Sequence, residues 1–298
     1  MKNFIGSRSL PDMVYHAPES VEKLFSLLSD AARPFRIVAG CTDFIPAVRT
    51  GRWSFDDDVT IIDIKKIKAL NYIEHQGGMV HIGACTRLTQ LLESPEIQEK
   101  APVLARAATT MGSWQVRNTA TIGGNICMSS PAGDTIPALL VLDARVTLAG
   151  PDGEEEMPLT EFLTGPGQNA MADNQVMTRI SFPAMEKNET ACFKKIGNRT
   201  AVIISIVSTA VRITLENGVC RNVKIAMGSV APTPIRIDKA EAFLEGRRLD
   251  QKAIHRCGAL VSEEISPITD LRASGDYRRD VAATLVKRAI AECTEENL

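Results

Sequence analysis

The 298-residue sequence contains no apolar run approaching the roughly 18–20 residues that a membrane-spanning helix requires, so no such helix is expected. Neither sign of charge dominates: 34 Lys and Arg against 36 Asp and Glu leave a formal net charge of −2. A nucleic-acid binder would carry a clustered basic excess, and none is present. With 44% hydrophobic residues the chain is not a disordered one. Its seven cysteines never form a C-x-x-C pair, which argues against a structural zinc or iron–sulfur site within this chain. Cys41, Cys85, Cys127, Cys192, Cys220, Cys257 and Cys293 read instead as reduced thiols in apolar surroundings. The four histidines, His16, His75, His81 and His255, show neither ligand spacing nor an acidic partner. Met1–Arg8 has no apolar centre and no small-residue cleavage site, so no secretory leader is expected and the cytoplasm is the expected location. Neither G-x-G-x-x-G nor G-x-x-x-x-G-K-[ST] occurs, which disfavours a Rossmann or P-loop nucleotide site.

What is present divides into three stretches. The first predicts a helix over 21–28 capped by Ser20, a short strand over 35–39 and a second strand over 59–64. The next predicts a hairpin, 71–75 and 79–84, around Gln76-Gly77-Gly78. Helical segments near 87–93 and 101–111 follow, then Gly/Asn/Ser/Pro-rich sequence from Thr119 to Gly133, a helix to Leu142 and a strand over 145–148. The last stretch, from about Lys187, predicts two strands joined at Asn217-Gly218 and helices over 236–246, 252–265 and 277–293. The fold class expected is α+β, with a mixed N-terminal part and a smaller part of sheet plus helices. His75 and His81 are expected to face each other across the first hairpin, and Trp53 and Trp114 read as packing anchors rather than stacking platforms.

Two glycine-bearing segments could carry chemistry. Ala39-Gly40-Cys41-Thr42-Asp43 follows a buried strand, and Thr121-Ile122-Gly123-Gly124-Asn125 opens the Gly-rich stretch. Glycine lacks Cβ and tolerates positive φ, so consecutive N–H groups can converge on an anion. Two such segments could hold the two phosphates of a dinucleotide, with Thr42, Thr121 and Asn125 as side-chain donors. Either one alone is more simply a turn.

The run Gln115-Val116-Arg117-Asn118-Thr119-Ala120-Thr121-Ile122-Gly123-Gly124-Asn125-Ile126, continuing into Ser130-Pro131-Ala132-Gly133-Asp134, resembles the flavin-binding subunit of the molybdenum hydroxylases, the xanthine dehydrogenase family. Ala39–Asp43 and Gly83-Ala84-Cys85-Thr86 resemble two further segments of that family, and the likeness extends over nearly the whole chain. The resemblance implies a vanillyl-alcohol-oxidase-type (PCMH-type) FAD-binding fold over 1–185, with subdomains of about 1–57 and 58–185, followed by a C-terminal domain of antiparallel sheet and helices over 186–298. It implies non-covalent FAD extended between the subdomains. Carried over residue by residue, Arg36, Ile37, Val38, Ala39, Gly40, Cys41, Thr42 and Asp43 on one side, with Ala120, Thr121, Gly123, Gly124 and Asn125 on the other, line the pyrophosphate. Met111, Gly112, Val116, Val176 and Met177 pack the cofactor. Asp134 accepts from ribityl or ribose hydroxyls, and Lys194 reaches the isoalloxazine edge.

The residues also carry plainer readings. Asp134 is equally an N-cap for the helix to Leu142, and Lys194 a surface lysine. Arg117 reads as an anion contact, an ion pair, or an interface or structural residue, the last being favoured. Cys41 stands where the family usually has a second glycine. A Cβ there costs about 1 kcal/mol or more if the backbone is left-handed, so the alternatives are a loop at negative φ or a pyrophosphate held mainly by the second segment.

The resemblance implies an electron-relay subunit of an oxidoreductase, working beside a molybdopterin-binding large subunit and a small subunit with 2Fe-2S clusters, and passing electrons through FAD to an acceptor such as NAD(P). A free-standing FAD-dependent oxidase of the same fold, and a non-enzymatic assembly module that has lost flavin, are the competing readings.

Overall fold

The computed structural model describes residues 13–29, 34–53, 59–199 and 202–295, arranged around three main sheets. The first holds β1 (Val14–His16), β2 (Phe35–Val38) and β3 (Thr60–Asp63), with helices α1 (Val21–Ser29) and α2 (Phe44–Arg49) between them. Its order is β1-β3-β2, and both pairings are parallel. Ser20 Oγ accepts from the Lys23 amide at 3.3 Å, the expected cap of α1. That helix buries Leu24 and Leu28 against Ile62 and Ile64. Residues 60–62 pair with both β1 and β2, so this sheet runs past the subdomain boundary expected at 57. Because the strands are parallel, their carboxyl ends share one edge, where Ala39–Asp43 emerges beside Asp63; such edges are the usual ligand crevices of α/β units.

The second sheet has the order β4-β5-β10-β6-β7, with β4 (Ile73–Gln76) and β5 (Met79–Gly83) forming the expected hairpin. Gly77 and Gly78 take φ of 60° and 79°, the mirror-image turn that matches strand twist. His81 sits opposite Glu74, with Nδ1 2.8 Å from Ser181 Oγ, while His75 sits opposite Val80, so the two histidines do not pair. Six helices follow: α3 (Leu88–Glu93), α4 (Pro95–Lys100), α5 (Pro102–Thr109), α6 (Trp114–Arg117), α7 (Ile122–Cys127) and the wholly buried α8 (Thr135–Val141). Then come β6 (Arg145–Gly150), β7 (Gly153–Pro158), α9 (Leu159–Phe162), the small ladder β8 (Leu163–Gly165) and β9 (Gln168–Asn169), and β10 (Val176–Pro183). The pattern did not predict β10: as the middle strand it is buried on both faces and shows no alternation. α7 occupies sequence rich in Gly and Asn because Thr121 caps it, accepting from the Gly124 amide at 3.1 Å.

The third sheet, β11 (Glu189–Ile196), β12 (Val207–Glu216), β13 (Val219–Gly228) and β14 (Ile235–Arg236), is antiparallel throughout. The β12–β13 turn is Asn217-Gly218, at φ of 52° and 78°, as its sequence predicts. Helices α10 (Asp238–Leu244), α11 (Gln251–Glu264) and α12 (Gly275–Glu295) complete a core in which Val211, Ile225 and Met227 meet Val261, Val286 and Ile290. Asp143, at the end of α8, ties this body to the second: Arg236, Lys224 and Arg212 approach its carboxylate at 2.9, 3.4 and 3.8 Å. Among the described residues no helix is long and apolar enough to cross a membrane, and no three His, Cys, Asp or Glu side chains gather as a metal site would need.

Candidate functional site

A cleft of about 850 Å³ opens between the first sheet and the helices of the second body. That volume suits a large organic ligand, since such pockets run roughly 300–1,000 Å³. Arg36 to Asp43 all line one side, and Ala120, Thr121, Gly124 and Asn125 line the other, with Met111, Gly112 and Val116 beside them. These fifteen of the twenty sequence-predicted residues are therefore brought together by the fold.

The first glycine-bearing segment abuts Thr119 and Ala120, just before the second, and the glycines of the two serve different ends. A Cβ on Gly40 would lie 2.3 Å from the Thr119 carbonyl oxygen and 2.8 Å from Ala120 Cα, so its absence lets the two walls meet. Cys41, not a glycine, takes the left-handed conformation at φ 56°. The first alternative left open by the sequence, a loop at negative φ, is thus excluded. A left-handed non-glycine residue costs roughly 1–2 kcal/mol, which the surrounding packing holds in place. Burial, and then the neighbouring Asp63 carboxylate, push the Cys41 thiol above its ordinary pKa, which keeps it protonated. Asp63 is itself fixed, accepting from Tyr15 Oη at 2.8 Å and from the Lys65 amide at 2.9 Å.

The second segment is the first turn of α7, not a loop, and neither Gly123 nor Gly124 has positive φ. The expectation of a left-handed nest fails there. Gly123 is instead needed for packing: its Cβ would sit 2.6 Å from Ala84 Cβ and 2.7 Å from Ala84 O. It is buried behind the wall and does not line the cleft. Thr121 Oγ accepts from Gly124 N, which leaves its hydroxyl proton to donate. Asn125 Oδ1 accepts from Thr135 Oγ1 at 2.6 Å, which turns its amide nitrogen outward as the donor end. The Thr121 hydroxyl and the Asn125 amide, on the cleft lining opposite the Gly40–Cys41 backbone, are donors of the kind a dinucleotide diphosphate needs.

Four further sequence predictions are corrected. Val176 and Met177 lie in the central strand β10 at 3% and 2% exposure, packed into sheet cores and away from the cleft lining. Asp134 neither lines the cleft nor caps α8 with its side chain. Its Oδ2 accepts from Lys195 Nζ at 2.6 Å and its Oδ1 from Ser205 Oγ, so both oxygens are already engaged. Burial raises the Asp134 carboxyl above its usual pKa, against the opposing pull of Lys195 and Ser205. Lys194 points the other way, to an ion pair with Glu292 on α12. Successive side chains of a strand face opposite sides, so the lysine that turns toward the second body is Lys195. Lys195 Nζ also donates to the Thr110 carbonyl at 3.1 Å.

Sequence reasoning missed other lining residues. Phe44, Arg52 and Trp53 close one part of the cleft, with the Phe44 and Trp53 rings 6.0 Å apart and the Arg52 guanidinium 5.7 Å from the Trp53 ring. Cys127, Met128, Gly167 and Met171 to Asp173 also line it. Adjacency to Asn125 could have pointed to Cys127; nothing local marks the 167–173 segment, which arrives through the β8–β9 ladder. Trp114 is exposed rather than a packing anchor, with the Arg117 guanidinium 5.7 Å from its ring.

Comparison with known proteins gives the family and the fold. Residues 9–185 match the family described as the FAD binding domain in molybdopterin dehydrogenase, and residues 191–293 match the CO dehydrogenase flavoprotein C-terminal domain. The chain is 30% identical over 292 residues to the nicotinate dehydrogenase FAD-subunit of Eubacterium barkeri, covering 96% of this chain and 98% of that one. It is 31% identical over 284 residues to the glyceraldehyde dehydrogenase medium chain of Sulfolobus acidocaldarius, covering 95% and 98%. Among solved structures, a chain of carbon monoxide dehydrogenase from Hydrogenophaga pseudoflava lacking the Mo-pyranopterin moiety superposes with a TM-score of 0.92 at 30% identity, over 97% of this chain and 99% of that one.

Proposed function

Because this chain belongs to the FAD-binding subunits of the molybdenum hydroxylases, an oxidoreductase family, we propose that it is the electron-transfer subunit of a hetero-oligomeric dehydrogenase. A molybdopterin-binding large subunit oxidises the substrate, a small subunit carries 2Fe-2S clusters, and electrons leave this subunit to NAD(P). The observation that carries the reading is the cleft itself, lined by Gly40–Asp43 on one side and by Thr121, Gly124 and Asn125 on the other, with Gly40 admitting no Cβ against Thr119 and Ala120. When bound, FAD supplies redox chemistry that can exchange electrons singly or in pairs.

The chain's own residues do the binding and orienting. The Thr121 hydroxyl and Asn125 amide would hold the diphosphate from the α7 end. Thr42 and the Gly40–Cys41 backbone would hold it from the β2 end. Met111, Val116 and Met171 would exclude water from an apolar part of the cofactor. Lys195 is held back from this contact by Asp134 and the Thr110 carbonyl.

The test is purification of the chain with its partners, with FAD, iron and molybdenum assayed together. The complex is then reduced anaerobically with dithionite, freed of excess reductant, and mixed with NAD⁺ or NADP⁺. Reoxidation of the flavin with formation of the reduced nicotinamide is the expected result. A chain that purifies with flavin but without iron and molybdenum overturns the subunit assignment. A reduced complex that ignores both nicotinamides but yields its electrons to a ferredoxin or quinone overturns the acceptor.

A further inference from the structure

Helix α5 ends at Thr109, directly behind the Met111-Gly112 turn that lines the cleft. A helix C-terminus leaves unpaired carbonyls and the negative end of the helix dipole, here beside the space assigned to an anionic cofactor. Four successive carbonyls of this turn go to two cations. Arg117 Nη1 donates to Met111 O at 2.8 Å and Gly112 O at 3.2 Å, with Thr109 O at 3.4 Å. Lys195 Nζ takes the remaining one, Thr110 O, at 3.1 Å. The turn itself has no slack: Gly112 is left-handed at φ 48°, and a Cβ on it would lie 2.7 Å from Val116 Cγ1.

We infer that Lys195 and Arg117 are positioning residues of the cofactor cleft, a two-cation clamp that fixes the Thr109–Gly112 wall from behind and offsets the negative end of α5. Neither residue is among those lining the cleft. Arg117 reaches the wall from α6 within the same body, whereas Lys195 reaches it from β11 of the third sheet. The clamp therefore links seating of the C-terminal body to the shape of the cleft. Asp134 completes it, its carboxylate 2.6 Å from a lysine with only 9% of its side chain exposed. The inference rests on FAD occupying this cleft only for its binding readout; the wall's rigidity is measurable without the cofactor.

The experiment uses the full chain freed of flavin. Amide hydrogen exchange of residues 109–116 is followed by mass spectrometry, and the FAD dissociation constant by fluorescence quenching. Lys195→Met and Arg117→Met are each expected to speed exchange in the 109–113 segment and to weaken FAD binding about tenfold, the scale of one charge-assisted hydrogen bond. Lys194→Met, one residue along and facing Glu292, is expected to match the parent in both. Lys195→Met leaves the Asp134 carboxylate buried without its cation, so the chain is also made as Lys195→Met with Asp134→Asn. That double variant is expected to recover thermal stability yet keep fast exchange and weak binding, which a purely structural ion pair would not do. Parental exchange and affinity in the double variant, or Lys194→Met behaving like Lys195→Met, would overturn the clamp. A parent chain that binds no FAD would overturn the cofactor reading while the exchange comparison still decides the clamp.

Discussion

The two walls of the cleft look alike in sequence, each a glycine beside small polar residues, yet they are built on opposite principles. The Gly40–Asp43 wall is a strained loop: its one left-handed residue is Cys41 at φ 56°, and its glycine is there because Thr119 O lies where a Cβ would go. The Thr121–Asn125 wall is a relaxed, capped helix start with no left-handed residue, and its Gly123 makes room for Ala84 on the side away from the cleft. Of these adjacent glycines Gly123 marks close packing, and neither forms a positive-φ anion nest. The donors that remain at the α7 wall are the Thr121 hydroxyl and the Asn125 amide.

The sharpest way to break this comparison is Gly40→Val. Its clash is with backbone, at 2.3 and 2.8 Å, so the walls must part rather than a side chain rotate. FAD binding is expected to fall more than about a hundredfold, with overpacking costing on the order of 3 kcal/mol; flavin-to-protein ratio and chemical denaturation measure the two. A variant that still purifies fully yellow would show that the walls do not need to touch.

Gly123→Ala comes next. Its Cβ meets Ala84 at 2.6 and 2.7 Å, and a loss of about 1–3 kcal/mol is expected from overpacking. Gly124→Ala is the matched control: its sole close neighbour is Thr121 Oγ1 at 2.9 Å. A weakened cap of about 1 kcal/mol is there offset by a similar gain in helix propensity, leaving stability near that of the parent. Equal effects of the two substitutions in denaturant titrations would remove the distinction between a packing glycine and a wall glycine.

Cys41→Gly tests the strained wall in the favourable direction. Glycine adopts φ 56° without penalty, and relief of about 1 kcal/mol is expected, reduced by the larger backbone entropy of glycine in the unfolded chain. FAD affinity is expected to hold or rise. A lower melting temperature would mean that packing of the thiol outweighs the strain.

A further effect lies away from the cleft. Burial alone would raise the Asp270 carboxyl, but hydrogen bonds from Arg272, from Arg278 and from the Ala273 amide outweigh it and lower the pKa to about 2 from 3.8. A depressed carboxylate contributes stability that is complete above its unfolded pKa and disappears as pH falls through the folded value. Asp270→Asn is therefore expected to destabilise the chain at neutral pH and to flatten the loss of stability between about pH 4 and pH 2. Unchanged acid unfolding would sink this account without touching the cleft.

Much of the fold was legible before any coordinates. Both glycine-bearing hairpin turns, at Gly77-Gly78 and Asn217-Gly218, and the Ser20 cap are local chemistry that the chain writes in adjacent residues. Most of the cleft was legible through resemblance, because Arg36–Asp43 and the Gln115–Asn125 run carry it contiguously. What was misread depended on long-range partners. β10 hides because a strand buried on both faces loses its alternation, and Val176 and Met177, carried to the cofactor by resemblance alone, lie within it. α7 hides because a single Thr121 cap and burial overcome the poor helix propensity of two glycines.

The chain by itself determined the kind of cofactor it takes, its two cleft-lining segments and the left-over cysteine at the tight turn, because each is encoded in residues a few places apart. Only the tertiary structure decided which of Lys194 and Lys195 turns toward the cleft wall, and that Asp134 is spent on that lysine rather than on a ligand. The reason is the two-residue period of a strand: a one-residue shift exchanges the faces, and which face meets the second body is settled by packing across the β11–β12 register, not by the letters themselves.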